Sequence, residues 1–409
     1  MNKIVGPFSM IAKIASLTLA ALILVSCSLS DGVASEAAEL KYEIIDVSYA
    51  QPNWWDIGVG YPRIIQVQFS QMDQNGYLLA SFEEGNAGLV IKPGYPIWRS
   101  RDEGISWEKL TFVSDNVFGM NAEWQPSLYE LPKRLGKWEA GTILLAACSV
   151  DPSHKIRSNL KLYASTDGGV TWSEPTTIAT GGGLETGVWE PELEMLDDGT
   201  LVCYYSDSTD AVNHSQKVVL KTSRDGVEWS DAIDIISSPI QTDRPGMPVV
   251  TRLGDQSYFM VYEVVGRDGN PIMYRTSTDG LNWGDPKNLG KIIESTDGKS
   301  LGSAPYCAWM PVGSANGTLI VSGTFMRSGT SETGTDYFIS HDYGKTWSTI
   351  PNTIPYTREF DHLGYSSGFT FSKDGEYLYA MKNITDPNLP GKAKIVFSAS
   401  KVKEIIAID

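Results

Sequence analysis

Ser100-Arg101-Asp102-Glu103-Gly104-Ile105-Ser106-Trp107 is the stretch that decides how the chain folds. Its pattern, S-x-D-x-G-x-[TS]-W, returns at Ser165/Asp167/Gly169/Thr171/Trp172 and at Ser340/Asp342/Gly344/Thr346/Trp347. Two shortened copies, S-R-D-G-V-E-W and S-T-D-G-L-N-W, end at Trp229 and Trp283. The five tryptophans are spaced 65, 57, 54 and 64 residues apart, the signature of a repeat architecture. The chemistry of the repeat is that of a stapled turn. The aspartate accepts from backbone N–H groups of its own turn, the glycine supplies a positive φ, and the tryptophan buries a large ring between neighbouring sheets.

Around each copy the same layout recurs. An apolar strand runs into a D-G or N-G turn and a second strand, as in R-I-I-Q-V-Q-F…N-G-Y-L-L-A-S-F and E-L-E-M-L-D-D-G-T-L-V-C-Y-Y. A third strand, such as K-V-V-L-K-T-S, leads into the box, so each unit is a four-stranded antiparallel blade. First strands fall near Arg63, Ser127, Glu192, Val249, Ala308 and Phe369, which makes six blades. The last blade has A-K-I-V-F-S-A-S as its third strand and no box. K-Y-E-I-I-D-V-S-Y, at 41–49, is its expected fourth strand and closes the ring, leaving no long edge exposed. The expected fold is all-β, a six-bladed propeller over residues 41–409.

The N-terminus reads as an export signal. Lys3 and Lys13 accompany an apolar run, Ile14–Val25, that is too short to span a membrane and ends in L-V-S-C at Cys27. The run resembles a bacterial lipobox. That resemblance implies a signal peptide over 1–26, lipidation of Cys27, a flexible tether over 27–40, and an outer-membrane address in the cell envelope. The whole chain carries a net charge of −16, and the two lysines of residues 1–26 face no acid there, so the remainder is near −18. This disfavours nucleic acid, anionic membrane surfaces and acidic polymers as partners. Membrane attachment is therefore expected through the lipid alone, and a monomer is expected. Cys148, Cys203 and Cys307 sit in apolar stretches and read as buried thiols, with at most one disulfide among them. The four histidines are scattered, and no spacing suits a metal site or calls for a cofactor.

In a propeller the first strands line the central channel, and their N-terminal ends form its mouth. The residues there are Tyr61-Pro62-Arg63, Glu123-Trp124-Gln125-Pro126, Trp189-Glu190-Pro191-Glu192, Asp243-Arg244-Pro245-Gly246, Ala304-Pro305-Tyr306 and Gly364-Tyr365-Ser366-Ser367. Second strands end in Ser81-Phe82-Glu83, Tyr205-Ser206-Asp207 and Val261-Tyr262-Glu263. Aromatic faces, carboxylates and hydroxyls together suit a sugar, and Trp54, Trp55 and Trp189 are either sugar platforms or rim packing.

The repeats are Asp-boxes, and the chain resembles the sialidase-type propellers. W-E-P-E-L-E (189–194), Y-Y-S-D (204–207), D-R-P-G-M-P-V-V (243–250), F-M-V-Y-E (259–263) and Q-P-S-L-Y-E-L-P (125–132) resemble glycoside hydrolase family 93, the exo-arabinanases. The resemblance implies exo-acting, retaining hydrolysis of α-1,5-linked arabinan or a related neutral glycan by two glutamates. Carried over by motif, these are Glu190 as nucleophile and Glu263 as acid/base, with Tyr365 bonded to the nucleophile. Arg63, Trp124, Gln125, Trp189, Glu192, Asp207, Arg244 and Tyr306 are the candidate substrate contacts. Glu192 departs from the family, which more often has an apolar residue there. Strand alternation puts it on the face of Glu190. Two alternatives stay open: an exo-sialidase with Arg63, Arg244 and Arg358 converging on a carboxylate, and a non-catalytic glycan-binding lipoprotein.

Overall fold

The computed structural model describes residues 41–50, 59–84, 94–114, 121–151, 153, 155–331, 334–355, 365–385 and 392–406. The leader, Cys27, the tether, Trp54, Trp55 and Arg358 lie outside them, as does the side chain of Glu123. Six four-stranded antiparallel sheets follow one another along the chain. Their inner strands are Val59–Gln66, Asn121–Glu130, Val188–Met195, Arg244–Arg252, Tyr306–Met310 and Gly368–Phe371, at the places expected for blades 1 to 6. Blade 6 takes its outermost strand from Lys41–Ala50, which pairs with Lys392–Lys401 from Lys41↔Ala399 to Ala50↔Lys392. The ring is thus closed by its own N-terminal strand, and the all-β, six-bladed architecture is as the sequence implies.

The core lies in the seams between blades. Leu144, Leu160, Leu193 and Cys203 fill the seam of blades 2 and 3, and Val202, Leu220, Met260 and Tyr262 fill that of blades 3 and 4. Burying each such side chain contributes roughly 1.5–3 kcal/mol. The box tryptophans pack into five of the six seams. Gly104 shows why the box needs glycine: its φ is +89°, and a Cβ there would lie 2.0 Å from the Phe397 ring of blade 6. The sixth seam has no box. Val402 and Ile406, at a single helical turn (Val402–Ile405), pack into it beside Phe369 and Phe371.

Two features were not legible in the strand pattern. Ser300–Gly302 and Phe325–Ser328 form a separate two-stranded ribbon beside blade 5. And each of the first four inner strands carries an extra residue near its N-terminal end, described below. Cys148, Cys203 and Cys307 are buried free thiols.

Candidate active site

The mouth is built by a defect repeated in the first four blades. Between Trp189 and Glu192 the pairing of the inner strand of blade 3 slips by one residue against Ser206 and Tyr204. The same slip falls between Gly60 and Arg63, Trp124 and Ser127, and Gly246 and Val249. In each bulge one non-glycine residue is left-handed: Tyr61 (φ 49°), Gln125 (57°), Glu190 (59°) and Met247 (53°). Ala304 (44°) and Ser366 (55°) hold the same place just before the inner strands of blades 5 and 6. Such conformations cost about 1–3 kcal/mol each and persist where surrounding structure imposes them. A bulged residue has no ladder partner for its N–H, so a side chain must accept it.

Glu190 is placed by this device. Its carboxylate accepts from Ser206 Oγ (2.5 Å) and from the backbone N–H of Met247 (2.9 Å) in the next blade. Burial raises its pKa, against the lowering effect of those two donors and of Arg244 and Arg63. Glu263, at the end of the second strand of blade 4, accepts from the N–H of Ala304 (2.8 Å). Burial, reinforced by the neighbouring charge of Glu190, pushes its pKa up to about 7. The two carboxyls meet at Gly246. That residue is the cross-strand partner of Glu263, and a Cβ on it would lie 3.3 Å from Glu190 Oε2, 3.0 Å from Ser206 Oγ and 2.1 Å from Gln216 Nε2. Only glycine leaves this space open.

Other mouth residues surround the pair. Arg63 is 3% exposed; it donates to Ser366 Oγ (3.0 Å) and its guanidinium lies 4.0 Å from the Tyr61 ring centre and 4.9 Å from that of Tyr306. Arg244 donates to Gln216 Oε1 (2.9 Å). The two arginines are tied into different blades rather than to one common point. Tyr365 donates to Met247 Sδ (3.1 Å). Burial, with Glu263 and Glu190 nearby, holds its phenol well above the usual range. Glu192 alternates with Glu190 along the strand, but the two carboxylates turn to different neighbours. The bulge sends Glu190 toward blade 4, while Glu192 accepts from Ser127 Oγ (3.1 Å) of blade 2. Burial lifts its pKa to about 7 despite Arg63.

A BNR repeat-like domain spans residues 92–306, more than half of the chain, and a BNR/Asp-box repeat matches 338–349. The α-L-arabinanase of Penicillium chrysogenum, solved with arabinobiose, is 32% identical, with a TM-score of 0.73 over 87% of this chain and 97% of that one. The chain is a glycosidase of the Asp-box propeller family. It is of the family 93 type: two structures of the α-L-arabinofuranosidase of Fusarium graminearum, one with an iminosugar inhibitor and one with arabinobiose, are 29% and 28% identical. Their TM-scores are 0.74 and 0.73, each over 88% of this chain and 98% and 99% of theirs. A sialidase of Streptococcus pneumoniae, 11% identical with a TM-score of 0.56 over 87% of this chain and 70% of that one, shares the fold. No curated protein sequence matches the chain.

Two candidate sugar contacts of this glycosidase stand apart from the pair. Trp189 is 7% exposed and belongs to the core of blades 2 and 3, its ring 5.7 Å from that of Trp124. Trp124 is the less buried of the two. Asp207 caps its own turn, accepting from the N–H (2.7 Å) and Oγ1 (2.6 Å) of Thr209. Conversely, Ser206, Gln216 and Gly246 belong to the site although none was singled out for a role. One signal for this backbone was in plain view: Tyr61-Pro62, Gln125-Pro126, Glu190-Pro191, Met247-Pro248 and Ala304-Pro305 recur once in each of blades 1 to 5. Proline bars the right-handed helical region to the residue before it.

Proposed function

We propose that the protein is an exo-acting, retaining glycosidase of α-1,5-linked arabinan or a related neutral glycan, with Glu190 as nucleophile and Glu263 as acid/base. The observation that carries this is the contrast across Gly246. Both glutamates are buried and each accepts hydrogen bonds, but Glu190 also has the charges of Arg244 and Arg63 favouring its anion. At Glu263, by contrast, the charge of Glu190 adds to burial, and the carboxyl keeps its proton up to a pH of about 7. Carboxyls whose environments differ in this way are suited to opposite roles. Glu190 attacks the anomeric carbon while Glu263 protonates the departing glycosidic oxygen. Glu263 then takes a proton from water, the hydroxyl adds to the anomeric carbon, and the bond to Glu190 breaks. Similarity to enzymes solved with arabinobiose supports the sugar. Charge supports a neutral one: Glu83, Glu192 and the catalytic pair surround the mouth, facing Arg63 and Arg244.

The lipobox reading adds an anchor at Cys27 and a place in the cell envelope. Strand direction fits it. Lys41 pairs with Ala399 near the end of its strand, at the Asp-box end of blade 6, and Ala50 pairs with Lys392 at the mouth end. Lys41 itself therefore lies at the end of the propeller opposite the mouth. Palmitate labelling of the wild type and of Cys27→Ser in cells tests the anchor; label retained by the variant would refute it.

The activity is tested with the soluble domain on linear α-1,5-arabino-oligosaccharides, with a fluorogenic sialoside in parallel. Stepwise release of short products from a chain end, lost in Glu190→Gln and Glu263→Gln, is expected. Release of sialic acid would overturn the neutral-sugar reading, and products from mid-chain cleavage would overturn exo action.

A further inference from the structure

The bulge N–H groups are not accepted at random. Glu83 Oε1 of blade 1 accepts the N–H of Gln125 in blade 2 (2.8 Å). Gln125 Oε1 accepts the N–H of Glu190 in blade 3 (3.0 Å). Glu190 Oε2 accepts the N–H of Met247 in blade 4 (2.9 Å), and Met247 Sδ accepts Tyr365 Oη (3.1 Å) from beside blade 6. Each acceptor pins the left-handed backbone of the next residue, and that backbone aims the next side chain. The donor is an N–H at every backbone step, so the orientation of the Gln125 amide follows: its oxygen, not its nitrogen, faces Glu190.

We propose that Glu83 and Gln125 are positioning residues that set the pose of Glu190 through this chain of bonds around the channel. Neither needs to touch the sugar. Glu83 is held to this task by its own cross-strand partner: it pairs with Gly60, and a Cβ on Gly60 would lie 3.2 Å from Glu83 Oε2. The construction repeats on blade 4, where Glu263 pairs with Gly246 and accepts the next bulge N–H. In blades 1 and 4 a second-strand glutamate opposite a glycine is the acceptor; in blades 2 and 3 the bulged residue itself is. The chain therefore begins at Glu83, two bonds before the nucleophile.

This inference rests on Glu190 being the nucleophile, and the test separates the two. Steady-state kinetics on an arabinofuranoside with an activated aryl leaving group are compared for Glu83→Ala, Glu83→Gln, Gln125→Ala and Glu190→Gln, with a melting curve for each. Small displacements of a reacting group cost up to about a hundredfold. Glu83→Ala is expected to lower kcat about tenfold or more with KM little changed. Glu83→Gln, which keeps an accepting oxygen, is expected to restore most of it. Placed on top of Glu190→Gln, Glu83→Ala is expected to add no further loss, because the two act as a unit. An active Glu190→Gln would sink the nucleophile assignment itself. An inactive Glu190→Gln beside a Glu83→Ala of wild-type kcat would sink the relay alone. A Glu83→Ala that raises KM at constant kcat would make Glu83 a sugar contact instead, and a loss that Glu83→Gln fails to rescue would refute the acceptor role.

Discussion

The two ends of the propeller use one bond for opposite purposes. At the Asp-box end, Asp167 accepts from Thr171 N (2.9 Å), Thr171 Oγ1 (2.6 Å) and Ser165 Oγ (2.8 Å). At the mouth, Glu190 accepts from Met247 N and Ser206 Oγ over similar distances. Yet the box aspartates, Asp102, Asp167, Asp225, Asp279 and Asp342, lie below the usual carboxylate range, and the mouth glutamates lie above it. The difference is water. Box carboxylates keep much of their hydration, so their donors prevail; in the channel, loss of hydration outweighs the same donors. Hydrogen bonds alone do not tell a staple from a reactive group, whereas burial does.

The largest effect should come from removing a mouth carboxylate. Glu263→Gln and Glu190→Gln are expected to lose about a thousandfold in kcat on arabino-oligosaccharides while melting no lower than wild type. Asp167→Ala should show the reverse, full kcat with a lower melting point. A box variant that kills turnover without unfolding would break the comparison. Next is pH. On natural substrate kcat/KM should fall tenfold per unit above a pH of about 7 as Glu263 ionises. On a substrate whose leaving group needs no proton, Glu263→Gln should stay active and lose that limb.

Stability effects are smaller. Asp167→Ala should cost about 1.5–3 kcal/mol in urea unfolding, the range for hydrogen bonds to charged groups. Because the folded pKa of Asp167 is depressed, this contribution is present above the unfolded value of 3.8 and is lost as pH falls below it. Glu194 should behave oppositely. It lies two residues beyond Glu192 on the inner strand of blade 3, and burial beside Glu192 lifts its pKa to about 8 against 4.5 unfolded. The folded state keeps this proton when the unfolded state has lost it, so stability falls as pH rises from 4.5 to about 8. Glu194→Gln should flatten that fall, seen as a smaller difference in urea midpoint between pH 5 and 8.5; an unchanged slope would place the group in water.

The sequence made the stapled end almost wholly legible. Five boxes, six inner strands and the closing strand at 41–50 follow from turn chemistry and alternation, because those turns need particular residues. The mouth was half legible. Motif placed Glu190 and Glu263 near strand ends, but alternation gave no sign that Glu190 turns to blade 4 and Glu192 to blade 2. The left-handed positions of the mouth are Tyr61, Gln125, Glu190, Met247, Ala304 and Ser366. None is a glycine; the N–H groups of Gln125, Glu190, Met247 and Ala304 are accepted by side chains of neighbouring blades, so the sign in the sequence is the proline that follows five of the six rather than the residue itself. Trp189 was equally ambiguous, because an indole that packs a seam and one that receives a sugar look alike in sequence.

The division of labour between the two carboxyls is tested most directly by azide rescue on an arabinofuranoside with an activated aryl leaving group. In Glu263→Ala, Glu190 still forms the covalent intermediate and azide replaces water, so the glycosyl azide should keep the substrate's anomeric configuration. In Glu190→Ala, azide fills the vacated space and attacks directly, so the azide should be inverted. The same configuration from both variants, or an inverted azide from Glu263→Ala, would contradict the assignment of Glu190 as nucleophile and Glu263 as acid/base.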